Sequence, residues 1–290
     1  MKAKVLGLCF SFFFLNALAQ EGIENTSRKD SVVSDKKLKI KLDVLSRYIW
    51  RGQSWGGDYV VFQPNIEYTL GEKVVLGVWG TSNFKKDYFY LDGSSYKGYQ
   101  ELDFYVCYAV NDFISLQLWD YYWPSVEKVK GVDNRFFNYK SNSVKTLDFI
   151  VAFDFSETKL PFNATLSTLI AGNDFRYDAK GQNPKQNFTT YAEIGYAVKN
   201  VLHRIRTKPF QDIKVSSSAG VVFNNQSGYY IAGDYDKPSL VNLTLKTSKE
   251  FGINKNWKLP ISCTYIHNAA TKNTATFGRN FIILATGLAF

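Results

Sequence analysis

Few side chains in this sequence are suited to bond-making chemistry. His203 and His267 are its two histidines, the residue type that serves most readily as a general base near neutral pH. His203 sits in a basic stretch, Asn200 to Phe210, with no nucleophile beside it. His267 ends an alternating apolar segment, but the His-x-Ser spacing of a membrane-embedded phospholipase fails because Ala269 stands where the serine belongs. Cys107, Cys263 and the two histidines form no metal-ligand cluster in sequence. No glycine-rich phosphate loop joins a strand to a helix. No metal, cofactor or catalytic residue is expected.

The chemistry that remains is that of charge. Lys37 to Gly52 reads K-L-K-I-K-L-D-V-L-S-R-Y-I-W-R-G. Leu38, Ile40, Leu42, Val44, Tyr48 and Trp50 share one face of an extended strand, and Lys37, Lys39, Lys41, Asp43, Arg47 and Arg51 share the other. The same alternation recurs down the chain and adds Glu67, Glu101, Asp103, Asp148, Asp154, Glu193, Lys214, Lys246 and Lys258 to the polar face. Two readings of these charges stand side by side. They line a polar path whose transverse field sorts small solutes and ions, or they pair across the interior and close it. Arg47 and Arg51, four residues apart, are expected to share one face. They form a basic constriction or pair with Glu67, Glu101 or Asp103 on neighbouring strands.

The elements that would position these residues are long amphipathic strands. Val60, Phe62, Ile66, Tyr68 and Leu70 form an apolar face interrupted by Pro64, an awkward residue within a sheet that lowers the case for a central strand or marks a bulge. Leu102, Phe104, Val106 and Tyr108 form another, as do Leu147, Phe149, Val151 and Phe153. Ala192, Ile194, Tyr196 and Val198; Val241, Leu243 and Leu245; and Ile261, Cys263 and Tyr265 continue the set. Cys107 and Cys263 fall on opposite sides of the wall, which makes a disulfide improbable. Roughly twelve such strands are expected, an even number as a single-chain bacterial barrel requires. The expected fold is an all-β transmembrane antiparallel barrel over residues 37–290, with short periplasmic turns alternating with longer outer loops. A soluble β-sandwich would need shorter strands and a second apolar face.

Composition agrees. The sequence holds 6 Trp, 19 Tyr and 23 Phe, and its net charge of +9 is scattered among many carboxylates, so no nucleic-acid footprint is expected. Residues 1–19 read as a secretory signal, with Lys2 and Lys4, an apolar core and Ala17-Leu18-Ala19 at the cleavage positions. Residues 20–36 read as a flexible periplasmic segment. Trp50, Trp119, Tyr121, Trp123 and Trp257 are expected to form an aromatic girdle at the membrane surface. The outer loops, Phe84 to Gly98, Pro124 to Ser143 and Gly228 to Pro238, are rich in Tyr, Phe and Asn and offer a surface for a ligand or partner if the barrel does not conduct.

The run S-R-Y-I-W-R-G-Q at Ser46 to Gln53, followed by Q-P-N at Gln63 to Asn65, resembles the start of the TorF-like porin family, also known as the Gcw-chp group. Gly77 to Gly80, Gln100 to Tyr105 and Asp120 to Pro124 are similar to that family's next hairpins. The terminal Phe290, with apolar residues at alternate positions before it, is similar to the end read by the barrel-insertion machinery. The resemblance implies an outer-membrane barrel with a pore role for small solutes. It supplies no particular substrate. Export through the Sec pathway is expected from the signal sequence, and contact with outer-membrane lipid from the apolar strand faces.

Overall fold

The computed structural model describes residues 37–85, 98–125, 130–199, 212–230, 235–253, 258–270 and 278–290. The expected signal sequence, the lead-in, Trp257 and His203 lie outside these residues. Twelve strands form a closed antiparallel barrel. In chain order they are β1 (Leu38–Leu45), β4 (Val61–Leu70), β5 (Val74–Ser82), β6 (Gln100–Ala109), β7 (Ile114–Tyr122), β8 (Lys145–Asp154), β9 (Phe162–Gly172), β12 (Thr190–Val198), β13 (Lys214–Val222), β14 (Ser239–Gly252), β15 (Lys258–His267) and β16 (Asn280–Ala289). Two small hairpins stand apart from the wall: β2 (Tyr48–Trp50) with β3 (Gln53–Trp55), and β10 (Phe175–Arg176) with β11 (Lys185–Gln186). Each barrel strand pairs with its neighbour in sequence, and β1 closes the ring on β16 through Leu42 opposite Leu288. Closure leaves no edge strand with unpaired backbone groups, which the hydrocarbon core of a membrane demands.

The alternation in sequence decides which way each side chain faces. On β6, Leu102, Phe104, Val106 and Tyr108 are exposed on the outside, while Asp103 and Tyr105 are buried within. Gln63, Gln117, Asp148, Ser167, Asn242 and Thr264 repeat the inward polar pattern on other strands. Ile66, Leu76, Leu118, Phe149, Leu166, Ile194, Leu245, Ile261 and Ile282 repeat the outward apolar one. An apolar exterior around a polar interior inverts a soluble fold and suits a wall in lipid. Cys263 is exposed on the outside and Cys107 lies on the inward side of β6, both as free thiols. Pro64 faces out, and the ladder between β4 and β5 skips it and Gln63.

Turn chemistry ends the strands at one rim. Gly71, at φ 62°, turns β4 into β5. The Asn111 carboxamide oxygen accepts from the backbone N–H groups of Phe113 and Ile114, an Asx turn between β6 and β7. The Asp154 carboxylate accepts from the Ser156 N–H where β8 ends. The opposite rim carries the longer connections, 83–99, 123–144, 173–189 and 223–238.

Three expectations are corrected by this arrangement. First, the opening strand stops at Leu45 rather than running on to Gly52. Ser46 bonds β16 twice, its N–H donating to Leu284 O at 2.8 Å and its hydroxyl accepting from Leu284 N at 3.0 Å. The chain then leaves the wall. Second, Trp119 and Tyr121 do not form a girdle on the lipid side. They share the inward phase of Ser115 and Gln117 on β7 and are 3% and 4% exposed. Trp123 is half-buried against the same cluster, and Trp50 lies on the β2–β3 hairpin inside the barrel. Composition marked these as interfacial, whereas the period of two sends them inward. Third, Val241 is fully buried rather than facing out, because a bulge at Gly220/Val221 shifts the register between β13 and β14.

The interior is packed as well as polar. Leu45, Tyr48, Ile49, Trp79, Tyr105, Trp119, Tyr121, Ile150, Ile266, Phe281 and Ile283 form a buried cluster. Tyr105 stacks on Trp119 with ring centroids 4.0 Å apart, and its ring lies flat over Gly77 on β5. A Cβ at Gly77 would fall 2.0 Å from Tyr105 Cζ. Gly77→Ala is therefore expected to displace the Tyr105 ring and cost about 1–3 kcal/mol. Gly252→Ala, where a Cβ meets nothing within 4 Å, serves as the neutral control. Urea midpoints of the folded barrel in detergent measure both, and equal midpoints would refute the packing.

Candidate functional site

The stretch after Leu45 is the feature that distinguishes this barrel's interior. Tyr48 pairs with Trp55, Ile49 with Ser54 and Trp50 with Gln53, leaving a two-residue turn of Arg51 and Gly52. Both turn residues have positive φ, 47° and 79°. That is the signature of a type I′ hairpin turn, whose twist matches its strands. A side chain at Gly52 is impossible, since its Cβ would fall 1.9 Å from Val241 O on β14. Asn268 Nδ2 donates to Gly52 O at 3.2 Å and completes the seat of the turn. At the hairpin's base, Tyr48 packs on Trp79 and Tyr99, and Asn83 Nδ2 donates to Gly56 O at 3.0 Å.

The tip places Arg51 in a cage. Arg51 Nη2 donates to Asp148 Oδ2 at 3.1 Å, with the two side chains 3% and 0% exposed. Arg51 Nη1 donates to Ser167 Oγ at 2.8 Å and to the Tyr230 hydroxyl. The guanidinium carbon lies 4.6 Å from the Trp50 ring centre and 4.7 Å from that of Tyr191, within range of cation–π attraction. Asp148 is held in turn by Ser167 Oγ at 2.7 Å and the Tyr121 hydroxyl at 3.1 Å. Asn225 fixes Tyr230 through both backbone groups, accepting from its N–H at 2.9 Å and donating to its carbonyl at 2.7 Å. Tyr230 stacks between Trp50 and Tyr191. Tyr191 donates to Glu193, which also accepts from Asn242 Nδ2 at 2.8 Å. Ser167 belongs to β9, six strands from β1 in either direction around the ring. The hairpin therefore spans the diameter of the barrel. Arg51 Nε is the exception in the cage: it is buried and has no acceptor, a defect that costs roughly 1–3 kcal/mol.

The other charged candidates are distributed along the wall rather than gathered. Arg47 does not share a face with Arg51, because the chain turns between them. It pairs with exposed Asp58 at 2.9 Å. Lys41 pairs with Asp43 at 3.0 Å, and Lys39 lies opposite Glu67 in the β1–β4 ladder. Glu67 accepts from the Tyr105 hydroxyl at 2.8 Å. Glu101 accepts from the Tyr99 hydroxyl at 2.8 Å, and Asp103 from the Tyr122 N–H at 3.2 Å. Near the far rim, Lys214 is exposed, Lys246 half-buried, Lys258 pairs with Glu250 at 3.0 Å, and Asp154 caps its turn. Sequence gives no site role to Ser167, Tyr230, Tyr191, Asn225 or Asn242, and it assigns Tyr121 to the girdle rather than to the cage. The signal for the hairpin was present in W-R-G-Q, a glycine in the second place of a two-residue turn. Nothing in the sequence indicated its partners.

At the rim of the longer connections, residues 130–144 fold against the strand ends. Asp120 and Lys145 pair at 2.7 Å, and Phe136 covers the Lys145 ammonium 3.3 Å from its ring centre. The Tyr139 hydroxyl donates to both Asp120 oxygens at 3.1 Å, and burial together with that carboxylate pushes its pKa up to about 12. Hydrogen bonds from Arg135 hold Asp133 down at about 2. His267 is bonded through Nδ1 to Asn280 Oδ1 at 2.7 Å.

The Arg51–Asp148 pair carries a specific expectation. Asp148→Asn leaves a buried guanidinium without its counter-charge and is expected to destabilise the barrel by about 3–5 kcal/mol. The paired replacement Arg51→Met with Asp148→Leu is expected to recover most of that loss. Urea titration of the two variants beside wild type checks both, and a wild-type midpoint for Asp148→Asn would contradict the pairing.

No curated protein matches the chain by sequence. Among solved structures it is similar to the NanC porin at 8% identity, over 87% of this chain and 98% of that one, with a TM-score of 0.46. Its similarity to OprD of Pseudomonas aeruginosa is 10% identity over 88% and 66% of the two chains, TM-score 0.35. OmpF of Salmonella typhi gives 8% identity over 87% and 96%, TM-score 0.36. The closed ladder itself defines the architecture. The sequence profile of one family spans residues 30–265, which is most of the wall and the whole β2–β3 hairpin, and the chain belongs to that family, Gcw_chp, described as bacterial protein of unknown function.

Proposed function

We propose that the protein is a narrow, non-enzymatic channel of the bacterial outer membrane for passive passage of small polar or charged solutes, in keeping with a TorF-like porin. The observation that carries this reading is a closed barrel whose inward face is polar and whose outer half is constricted by one hairpin rather than by the wall. The solvated charges Lys39, Lys214 and Lys258 open the far rim, and Glu101, Asp103, Asp148 and Glu193 stand near the outer ends of their strands. On this reading the chain reaches the membrane by export with cleavage near Ala19. Strand β16, ending at Phe290, is read by the insertion machinery.

A second reading has its own support. At the level of Arg51 the interior is filled, since Arg51 is 2% exposed and Ile150 and Tyr230 are fully buried. Outer-loop residue Phe137 is 85% exposed. A non-conducting barrel whose aromatic loops bind a surface partner accounts for both.

Conductance separates the two. Protein shown to be folded by heat-modifiable gel migration is expected to produce discrete current steps in a planar bilayer. Replacing residues 47–56 by a short Gly-Ser link is expected to raise the step size severalfold, because the hairpin ceases to obstruct the lumen. Absence of steps in both proteins, across salts and voltages, would sink the channel reading and leave loop binding as the function to test.

A further inference from the structure

The cage around Arg51 is built more elaborately than a structural ion pair requires. It offers a buried carboxylate, Asp148, that is itself oriented by Ser167 and Tyr121. Aromatic rings from Trp50 and Tyr191 flank the guanidinium, and Tyr230, pinned by Asn225, supplies a hydroxyl. This is the donor and acceptor set that recognises a planar cation: charge-assisted hydrogen bonds in the plane and π faces against it. Three observations say that its present occupant is not locked in. The hairpin strands pair with each other and with no barrel strand, so withdrawing them breaks no wall ladder. At the tip, Asn268 Nδ2, on the connection after β15, donates to the Gly52 carbonyl, a side-chain bond rather than a ladder bond. Arg51 Nε is buried without an acceptor, so the fit to arginine is incomplete. The approach from the outer rim is acidic as well. Glu101, Asp103 and Glu193 are bonded by hydroxyl, backbone and amide donors rather than by cations.

Building on the channel reading above, we propose that the Arg51 cage is a recognition site for solutes bearing a guanidinium or small ammonium group, occupied at rest by the chain's own Arg51. A cationic solute entering from the outer rim competes with the hairpin tip for Asp148, Ser167 and Tyr230. The tip acts as a tethered stand-in for the solute, and its displacement moves the constriction. The trade is an exchange of one cation for another at the same carboxylate, so the interior never holds a buried charge without a counter-charge.

Full-length Arg51→Ala vacates the cage, and methylguanidinium chloride is the probe, with neutral methylurea as its isosteric control at constant ionic strength. In planar bilayers, methylguanidinium on the loop side is expected to block Arg51→Ala at concentrations at least about tenfold below those needed for wild type, and methylurea is expected not to block. Adding Asp148→Asn to Arg51→Ala is expected to raise the half-blocking concentration at least about tenfold. Equal block by methylurea, or block indifferent to Asp148→Asn, would overturn the proposal. If no protein conducts, the channel reading fails on its own. The cage is then judged by heat-modifiable migration: methylguanidinium should raise the transition of Arg51→Ala but not that of the double variant, and no rise overturns the site. If Arg51→Ala does not fold alone, its refolding yield should be restored by millimolar methylguanidinium and not by methylurea, and failure to restore it is equally decisive against the site.

Discussion

A backbone in hydrocarbon has no water to bond with, so every N–H and C=O in the wall must be answered by the protein. The meeting of β1 with β16 satisfies that demand for this chain. Once the first and last strands pair, the wall has no edge, the period-two pattern separates lipid from interior, and the side chains of all twelve strands acquire a fixed sense. The closure also confines whatever is not part of the ladder. After Ser46 the chain leaves the wall beside that seam, and Tyr48, Ile49 and Arg51 find the interior already lined with partners.

The buried ion pair follows from this confinement. A guanidinium in a low-dielectric interior is tolerated when a carboxylate and hydroxyl acceptors meet it. Arg51 meets Asp148, Ser167 and Tyr230, contributed by β8, β9 and the connection that follows β13. The tyrosines serve two purposes. Tyr191 and Tyr105 lie over Gly220 and Gly77, where the missing side chain makes room for a ring, and each hydroxyl then reaches a glutamate. Small residues on one strand are thus the complement of large ones on the next, much as aromatic residues cover glycine in other β-barrels.

The wall was legible in the sequence because alternation is a local property. Strands such as Gln100–Ala109 and Lys258–His267 carry it residue by residue, and their outward and inward members fall where the pattern puts them. Errors came where something other than the period acted. The opening strand reads as continuous to Gly52, yet Ser46 binds the last strand and the Arg51-Gly52 turn reverses the chain. Val241 changes face at a bulge that no composition announces. Residue types alone make the aromatic cluster at the end of β7 a girdle, whereas its phase puts Trp119 and Tyr121 beside Gln117. The cage itself was illegible, because Arg51 and Asp148 are 97 residues apart and their meeting depends on the curvature of the whole ring.

The hairpin also has a mechanical meaning. A cylinder of twelve strands is tied around its circumference by hydrogen bonds, and its wall places nothing across a diameter. A member that starts at β1 and is anchored on β9, halfway round the ring, works as a spoke. It resists compression along one diameter through the packed rings of Trp50, Tyr230 and Tyr191, and it resists extension through the bonds of Arg51. While Arg51 occupies its cage, that spoke adds to the hoop of hydrogen bonds in holding the cross-section.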